Sequence, residues 1–245
     1  ACSMPRQPAR STHHLPFVSV IIANYNGAKL LGPCLRSLMA LGYPRRRYEL
    51  LVVDNGSTDD SERLVRQQFP SVHWVDHAIN NYTRALNVGI SLAQGELVAC
   101  LNNDTVVDVR WLRELAQVMQ RDSRDGACGS KILLMDGRVN SAGHRAHPNF
   151  YWVDRGSEEP YRGQYDRLEP MESLTGCALL VRRRALEQVG LFDEDFNMYT
   201  EEVDLAIRLR QHGWTLWYVP TSVVRHVHHG TPNVRSPEEW TERNR

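Results

Sequence analysis

The sequence has 245 residues, with 29 Lys+Arg against 29 Asp+Glu, 42% hydrophobic and 24% charged. A chain of this size buries roughly 70–75% of its unfolded surface and needs no disulfide or metal to hold a core. Zero net charge argues against a general nucleic-acid binder, which carries a basic excess. No apolar stretch approaches the ~20 residues that span a bilayer.

Residues 1–16 (ACSMPRQPARSTHHLP) are polar and Pro-rich and read as a disordered arm. Phe17 to Ala23 is a buried-strand run closed by the turn residues Asn24, Asn26 and Gly27. Apolar residues from Leu30 to Leu41 recur at helical spacing, with Pro33 acceptable there only in a first turn. Tyr48 to Val53 is a second strand, and the turn Asp54 to Asp59 leads into a helix ending near Phe69. A short strand at Val72 to Val75, a helix from Arg84 to Ala93, a strand at Leu97 to Leu101 and a helix from Val109 to Met119 follow. Strands alternating with helices predict βαβ units, hence an α/β fold with a mostly parallel, Rossmann-like central sheet and helices on both faces.

The second half changes character. Ala127 to Met135 reads as a strand with a hairpin turn at Asp136-Gly137. Asn140 to Pro170 is polar with scattered aromatics, too long for a simple connection, and reads as a functional or disordered loop. Leu174 to Val181 restores order, a helix spans Glu201 to Gln211 and stops at Gly213, and Trp214 to Val219 is a further strand. The expected organisation is one domain over 17–230, nucleotide-binding over 17–125 and acceptor-binding or catalytic over 126–230. The polar stretch 231–245 reads as a helix without a stop signal, truncated or naturally short. Five cysteines (Cys2, Cys34, Cys100, Cys128, Cys177) are odd in number and contain no CxxC pair. They read as buried free thiols of a reducing compartment, so the expected location is cytoplasmic or the cytoplasmic face of a membrane.

Ligands of an open parallel sheet sit at the carboxyl ends of its strands. Three strand ends here are polar: Asn24-Tyr25-Asn26, Asp54-Asn55-Gly56-Ser57 and Asn102-Asn103-Asp104. Asx and Gly at any one of them are ordinary βα-turn residues; three in succession point to a crevice for a base, a ribose and a diphosphate. G-x-G-x-x-G, the phosphate loop and the G-x-S-x-G elbow are all missing. The phosphates must then be neutralised by other means, most economically a divalent cation on Asp104, and a lone Asp among Asn neighbours suits Mg²⁺ or Mn²⁺. In Tyr199-Thr200-Glu201-Glu202-Val203-Asp204, Thr200 is a good N-cap and Asp204 can pair with Arg208. Glu201 and Asp204, three apart, share a helix face, whereas Glu202 is turned about 100° from Glu201. Capping and pairing thus account for two carboxylates and leave one as a general base. Arg225-His226-Val227-His228-His229 follows a strand and offers imidazoles that can ligate a metal.

SVIIANYNG, ELLVVDNGSTD, ACLNNDTVV, LTGCALLVRRRALEQVGLFDEDFNMYTEEVDLAIRLRQHGW and VPTSVVRHVHH, in that order, resemble family 2 glycosyltransferases of the GT-A fold, within the rhamnosyltransferase-like subgroup. The resemblance covers Phe17 to Gly230. It implies inverting transfer of a sugar from a nucleotide-diphosphate donor to a hydroxyl of a saccharide or lipid-linked acceptor. It places Ala23 and Tyr25 in the base pocket, Asp54 on the base, Asp59 in the acidic turn after it, and Asn102 and Asn103 beside the nucleotide. It makes Asp104 and His226 ligands of Mn²⁺ or Mg²⁺, and Glu202 the catalytic base. Thr175, Gly176 and Glu201 fall on the side of the donor sugar and acceptor. An Asp54-type contact suits UDP or dTDP, since a carboxylate accepts the pyrimidine N3–H. Peripheral membrane association belongs to the same expectation, and nucleic acid does not.

Three departures stand out. Asn102 replaces the first acidic residue of Asp-x-Asp, Glu202 replaces the usual Asp, and Tyr82 and Arg84 stand where relatives have smaller residues. The first two support an alternative, a non-catalytic nucleotide-sugar-binding domain. A sugar nucleotidylyltransferase is a weaker rival, because Asn24-Tyr25-Asn26-Gly27-Ala28 is not its Gly-rich basic loop.

Overall fold

A computed structural model describes residues 15–147 and 152–227. The expectations for the arm before residue 15, for Cys2, Phe150, Tyr151, His228 and His229, and for the 231–245 tail lie outside the described residues.

β1 (Val18–Asn24), β2 (Tyr48–Asp54), β3 (His73–Asp76) and β4 (Leu97–Leu101) run parallel, with β1 between β2 and β4. Their near-continuous apolar runs follow from burial on both faces. Val18, Val20 and Ile22 pack on one side with helices α1 (Ala28–Met39), α2 (Ser61–Gln68) and α4 (Trp111–Met119). Ile21 and Ala23 pack on the other with α3 (Tyr82–Leu92), α5 (Arg183–Val189) and α6 (Glu201–Gln211). The period of two in the strands thus divides one sheet between two cores. Pro33 lies one turn further into α1 than expected; it is tolerated because Lys29, whose carbonyl loses its partner, is exposed.

Beyond β4 the sheet becomes mixed. β11 (Ala178–Arg182) enters antiparallel between β4 and β6 (Asp125–Leu134), and β12 (Thr215–His226) then lies parallel to β6. β12 extends well past the expected Val219 end. The register with β6 slips between Val219 and Val223, so Pro220 sits in a bulge where its missing N–H costs no ladder bond. The strand then resumes and pairs with β5 (Thr105–Val107), setting His226 opposite Thr105.

The described residues of the stretch read as a functional or disordered loop form a folded subassembly. After β7 (Val139–Ser141), strands β8 (His144–Ala146) and β9 (Trp152–Asp154) form an antiparallel pair, and β10 (Glu169–Pro170) joins the edge of β12. Buried Lys131 donates to Asp166 at 2.7 Å and to the Tyr161 hydroxyl at 2.6 Å. Arg155 pairs with Glu169 at 2.7 Å and lies over the rings of Tyr165 and Tyr218. Such long-range side-chain anchors carry no periodic signal, which is why the segment looks structureless in sequence.

Candidate functional site

The ends of β1, β2 and β4 meet through their side chains. Fully buried Asn24 donates from Nδ2 to Asp54 Oδ1 at 3.0 Å and accepts on Oδ1 from Asn103 Nδ2 at 3.0 Å. The Ser57 N–H donates to Asp54 Oδ2 at 2.8 Å, closing the Asx turn after β2. A Cβ at Gly27 would come within 2.3 Å of Asn103 Nδ2 and 2.4 Å of Asn24 Oδ1, so this close approach requires glycine. Asp59 accepts from Ala28 N at 2.9 Å and from Ser61 N at 3.0 Å, latching the starts of α1 and α2 together. Burial works against the ionised Asp59, but these donors and the Ser61 hydroxyl outweigh it and hold the carboxyl below its usual range.

Asp54, Asp59, Trp74, Asp76 and His77 line a cleft of about 240 Å³ at this edge. Ala23 is buried at the end of β1 and Tyr25 is half-buried immediately after it. The base-pocket candidates are therefore gathered at one strand edge, with Asp54 and Asp59 also serving as turn and cap residues.

Asp104 and His226 come together although 122 positions separate them in sequence. His226 Nε2 is 3.0 Å from Asp104 Oδ1, each side chain only 9% exposed, and His226 Nδ1 meets Asn140 Oδ1 at 2.7 Å. The β12 bulge and the β5 pairing bring them there, reinforced by Val227 N donating to Asp104 O at 2.9 Å. Burial disfavours a charged imidazole, yet Cys177 and Asp104 beside it lift the His226 pKa to about 11. A carboxylate oxygen and an imidazole nitrogen side by side fit a hard divalent ion that takes its other ligands from phosphates. Among the described residues no group of three or more such ligands gathers.

Asn102 does not join that pair. Its side-chain oxygen accepts from the Tyr82 hydroxyl at 2.9 Å, and its N–H donates to Cys177 O at 3.0 Å. Tyr82, at the start of α3, also faces Glu201 and Glu202, and burial followed by those charges pushes its phenol well up. The ring therefore links the β4 end to α6. The sequence marked Tyr82 only as a departure from the family pattern; it takes the fold to show what it touches.

At α6 the expected division of labour changes. Asp204 does pair with Arg208, at 2.6 Å. Thr200, however, makes no side-chain cap: it adopts a left-handed backbone with φ 71°, and its Oγ1 is buried without a partner. Glu201 turns inward rather than sharing duty with Asp204; it is 4% exposed and its Oε2 has no partner. Glu202 lies beside it with its side chain 13% exposed. Helical spacing assigned two of the three carboxylates to structure, whereas packing leaves that role to one.

Burial lifts Glu201 to about 7. Burial and then the Glu201 charge lift Glu202 to about 8, against the lowering influence of His144. Two carboxyls in one apolar setting titrate as a unit that holds a proton near neutrality. Gly176 lies against both, a Cβ there falling 3.5 Å from Glu202 Cβ and 3.6 Å from Glu201 Oε1. Gly176-Cys177 thus links the carboxylate pair to the Asp104–His226 pair, since Cys177 meets His226.

Sequence reasoning passed over His144, Asp154, Ser173 and Asn140, which surround these groups. Asn140, His144 and Asp154 sit in the stretch read as a loop and Ser173 just beyond it, where no motif or period marks a single His or Ser. The four described cysteines, Cys34, Cys100, Cys128 and Cys177, are buried free thiols as expected. Burial pushes Cys34 and Cys100 up to about 12. Among the described residues no helix is long and apolar enough to cross a membrane.

The sequence profile of Glycosyl transferase family 2 matches residues 19–190. An O-antigen biosynthesis protein, RfbC, of Myxococcus xanthus is 34% identical over 94% of this chain, which spans only 18% of that relative. An N-acetylglucosaminyl-diphospho-decaprenol L-rhamnosyltransferase of Mycobacterium tuberculosis is 35% identical over 82% of this chain and 74% of its own length. Among solved structures, mannosyltransferase PcManGT from Pyrobaculum calidifontis in complex with GDP-Man and Mn²⁺ superposes with a TM-score of 0.69 at 22% identity. That match covers 98% of this chain and 64% of the other, and it establishes the GT-A fold expected from the sequence.

Proposed function

The chain belongs to glycosyl transferase family 2, and on that premise we propose that it moves a sugar from a UDP or dTDP donor to a hydroxyl of a saccharide or lipid-linked acceptor, with inversion and with Glu202 as general base. The observation that carries this reading is the placement of two unlike sites on either end of Gly176-Cys177. One is a carboxylate–imidazole pair suited to a diphosphate-bound cation; the other is a buried carboxylate pair suited to taking a proton. Family membership sets the nucleotidylyltransferase reading aside.

In this reading the nucleotide lies along the β1, β2 and β4 ends, with Asp54 and Tyr25 toward the base. Asp104 and His226 would hold Mn²⁺ or Mg²⁺, which as a Lewis acid supplies charge stabilisation for the departing diphosphate. Glu202 takes the acceptor hydroxyl proton as that oxygen attacks the anomeric carbon from the face opposite the diphosphate. The carbon–oxygen bond to phosphate breaks, and its electron pair leaves with the nucleoside diphosphate. The elevated pKa of Glu202 matches a base that must accept a proton near neutral pH. The name of the mycobacterial relative supports a deoxyhexose donor and a lipid-linked acceptor, and with the latter a site of action at a membrane surface.

The direct test is hydrolysis and transfer of UDP- and dTDP-sugars, with Mn²⁺ and with chelator. Turnover that needs the metal, and is lost in Glu202→Gln, supports the reading. Binding of the nucleotide sugar without turnover in any metal condition would instead identify a non-catalytic binding domain.

A further inference from the structure

His144 is a buried titratable group to which the proposed reaction assigns no part. It is 8% exposed, on β8, and is held on two sides. Its backbone N–H donates to Ser173 O at 3.1 Å, and its Nδ1 lies 3.0 Å from Ser173 Oγ. Its Nε2 lies 3.4 Å from Asp154 Oδ1 on β9 and 3.8 Å from Glu202 Oε1 on α6. The last distance is an ion-pair contact rather than a hydrogen bond. The β8–β9 register sets His144 opposite Asp154, so the backbone itself fixes the imidazole and its carboxylate partner together.

We propose that His144 is a positioning residue for sugar transfer: anchored by Ser173 and Asp154, it aims the Glu202 carboxyl and favours its ionised form. The proposal rests on the reading of Glu202 as the base. The groups facing Glu202 are Glu201 on its own helix, Tyr82 from α3, the Gly176 backbone, His144 from β8 and Asp154 from β9. Glu201 and Asp154 favour a neutral Glu202, and His144 is the cationic member that opposes them. Burial disfavours charge on His144, but the hydrogen bond to Asp154 and the Glu202 charge outweigh it and raise its pKa. Each side chain thereby stabilises the charged form of the other.

The test is the pH dependence of kcat in His144→Gln, with donor KM and thermal midpoint measured alongside. Activity rises with pH as Glu202 loses its proton, so removing a cation moves this acid limb upward. A shift of about one pH unit is expected for a lost charge partner, equivalent to roughly tenfold lower kcat at pH 7, with donor KM unchanged. A uniform loss at every pH with the limb unmoved would mean a packing role and overturn the proposal.

If His144→Gln does not fold, the reciprocal measurement decides. Histidine NMR titration should show the His144 pKa falling in Glu202→Gln relative to wild type; an unmoved titration overturns the proposal. Wild-type turnover by Glu202→Gln would strike the base assignment itself and the proposal with it. The His144 profile alone does not produce that result.

Discussion

At the ends of β1 and β2, Asn24, Asp54, Ser57 and Asn103 satisfy one another before any ligand arrives, whereas at the start of α6 the buried Glu201 Oε2 and Thr200 Oγ1 have no partners. The backbone shows the same contrast. The chain enters α6 through left-handed Asn197, Tyr199 and Thr200, at φ 61°, 66° and 71°. Each such non-glycine residue costs of order 1–3 kcal/mol and persists only when its surroundings dictate it. Here the surroundings are α3: Tyr82 N donates to Asn197 Oδ1, Thr83 N to Asn197 O, and Arg84 pairs with Glu194. The strand ends are a finished scaffold that positions; the start of α6 stores unmet polarity and strain where chemistry is expected.

The sharpest way to break that contrast is to remove the base. Glu202→Gln keeps size and hydrogen bonding but not basicity, so turnover should fall roughly 10²–10⁴-fold. Nucleotide affinity, measured by calorimetry, should be nearly unchanged, because the proposed nucleotide site is at the strand ends, away from Glu202. Loss of both together would mean that the two regions are one structural unit. The next effect belongs to the metal pair. Asp104→Ala should abolish the Mn²⁺ enhancement of UDP or dTDP binding while leaving the fold intact. The loss should be at least ~10–100-fold, the usual cost of disturbing even an outer partner of a metal. Equal affinity in Mn²⁺ and in chelator for the wild-type protein would refute the assignment.

The two regions also differ in how far the sequence disclosed them. Local rules govern the first half: apolar runs of strand length, Asx-Gly turns and helical spacing. The strand Leu97–Leu101 and the helix Glu201–Gln211 emerge with the bounds expected from pattern alone. Asp104 and the His226 run were each legible as candidate metal ligands, but that they form one pair was legible only through the family resemblance, since a β-bulge at Pro220 and a three-residue strand bring them together. His144 was not legible at all. It became buried through a hairpin whose anchors, Lys131–Asp166 and Arg155–Glu169, span 35 and 14 positions. Helix geometry mis-sorted Glu201 because a helical wheel gives directions but not what stands in them, and here Tyr82 and Gly176 stand there.

A third experiment tests the scaffold end. Asn24→Ala strips buried partners from both Asp54 and Asn103. An unpaired buried polar group costs about 1–3 kcal/mol, and 1 kcal/mol moves Tm by roughly 2–4 °C in a chain of this size. Thermal unfolding should show that loss at every pH between 5 and 8. An unchanged Tm would mean that the network is decoration on an otherwise sufficient sheet.

The smallest effect has the opposite sign. Glu201 is a carboxyl whose pKa burial raises from an ordinary 4.5 to about 7. The folded state therefore prefers the proton, and the stabilisation this gives is complete below about pH 4.5 and disappears as pH rises through 7. Above that, the protein must either keep an ionised oxygen buried without a partner or bind a proton against the solvent. Glu201→Gln removes this cost while its amide can still donate to Glu202. The variant should match wild type near pH 4.5 and gain about 1 kcal/mol or more by pH 8, hence roughly 2–4 °C in Tm. A substitution inside the site would then stabilise the fold where Asn24→Ala weakens it, the trade-off expected of strained functional groups. Identical Tm differences at pH 4.5 and pH 8 would show that Glu201 does not hold its proton, and the contrast between the strand ends and the start of α6 would then rest on backbone strain and the unpartnered Thr200 Oγ1.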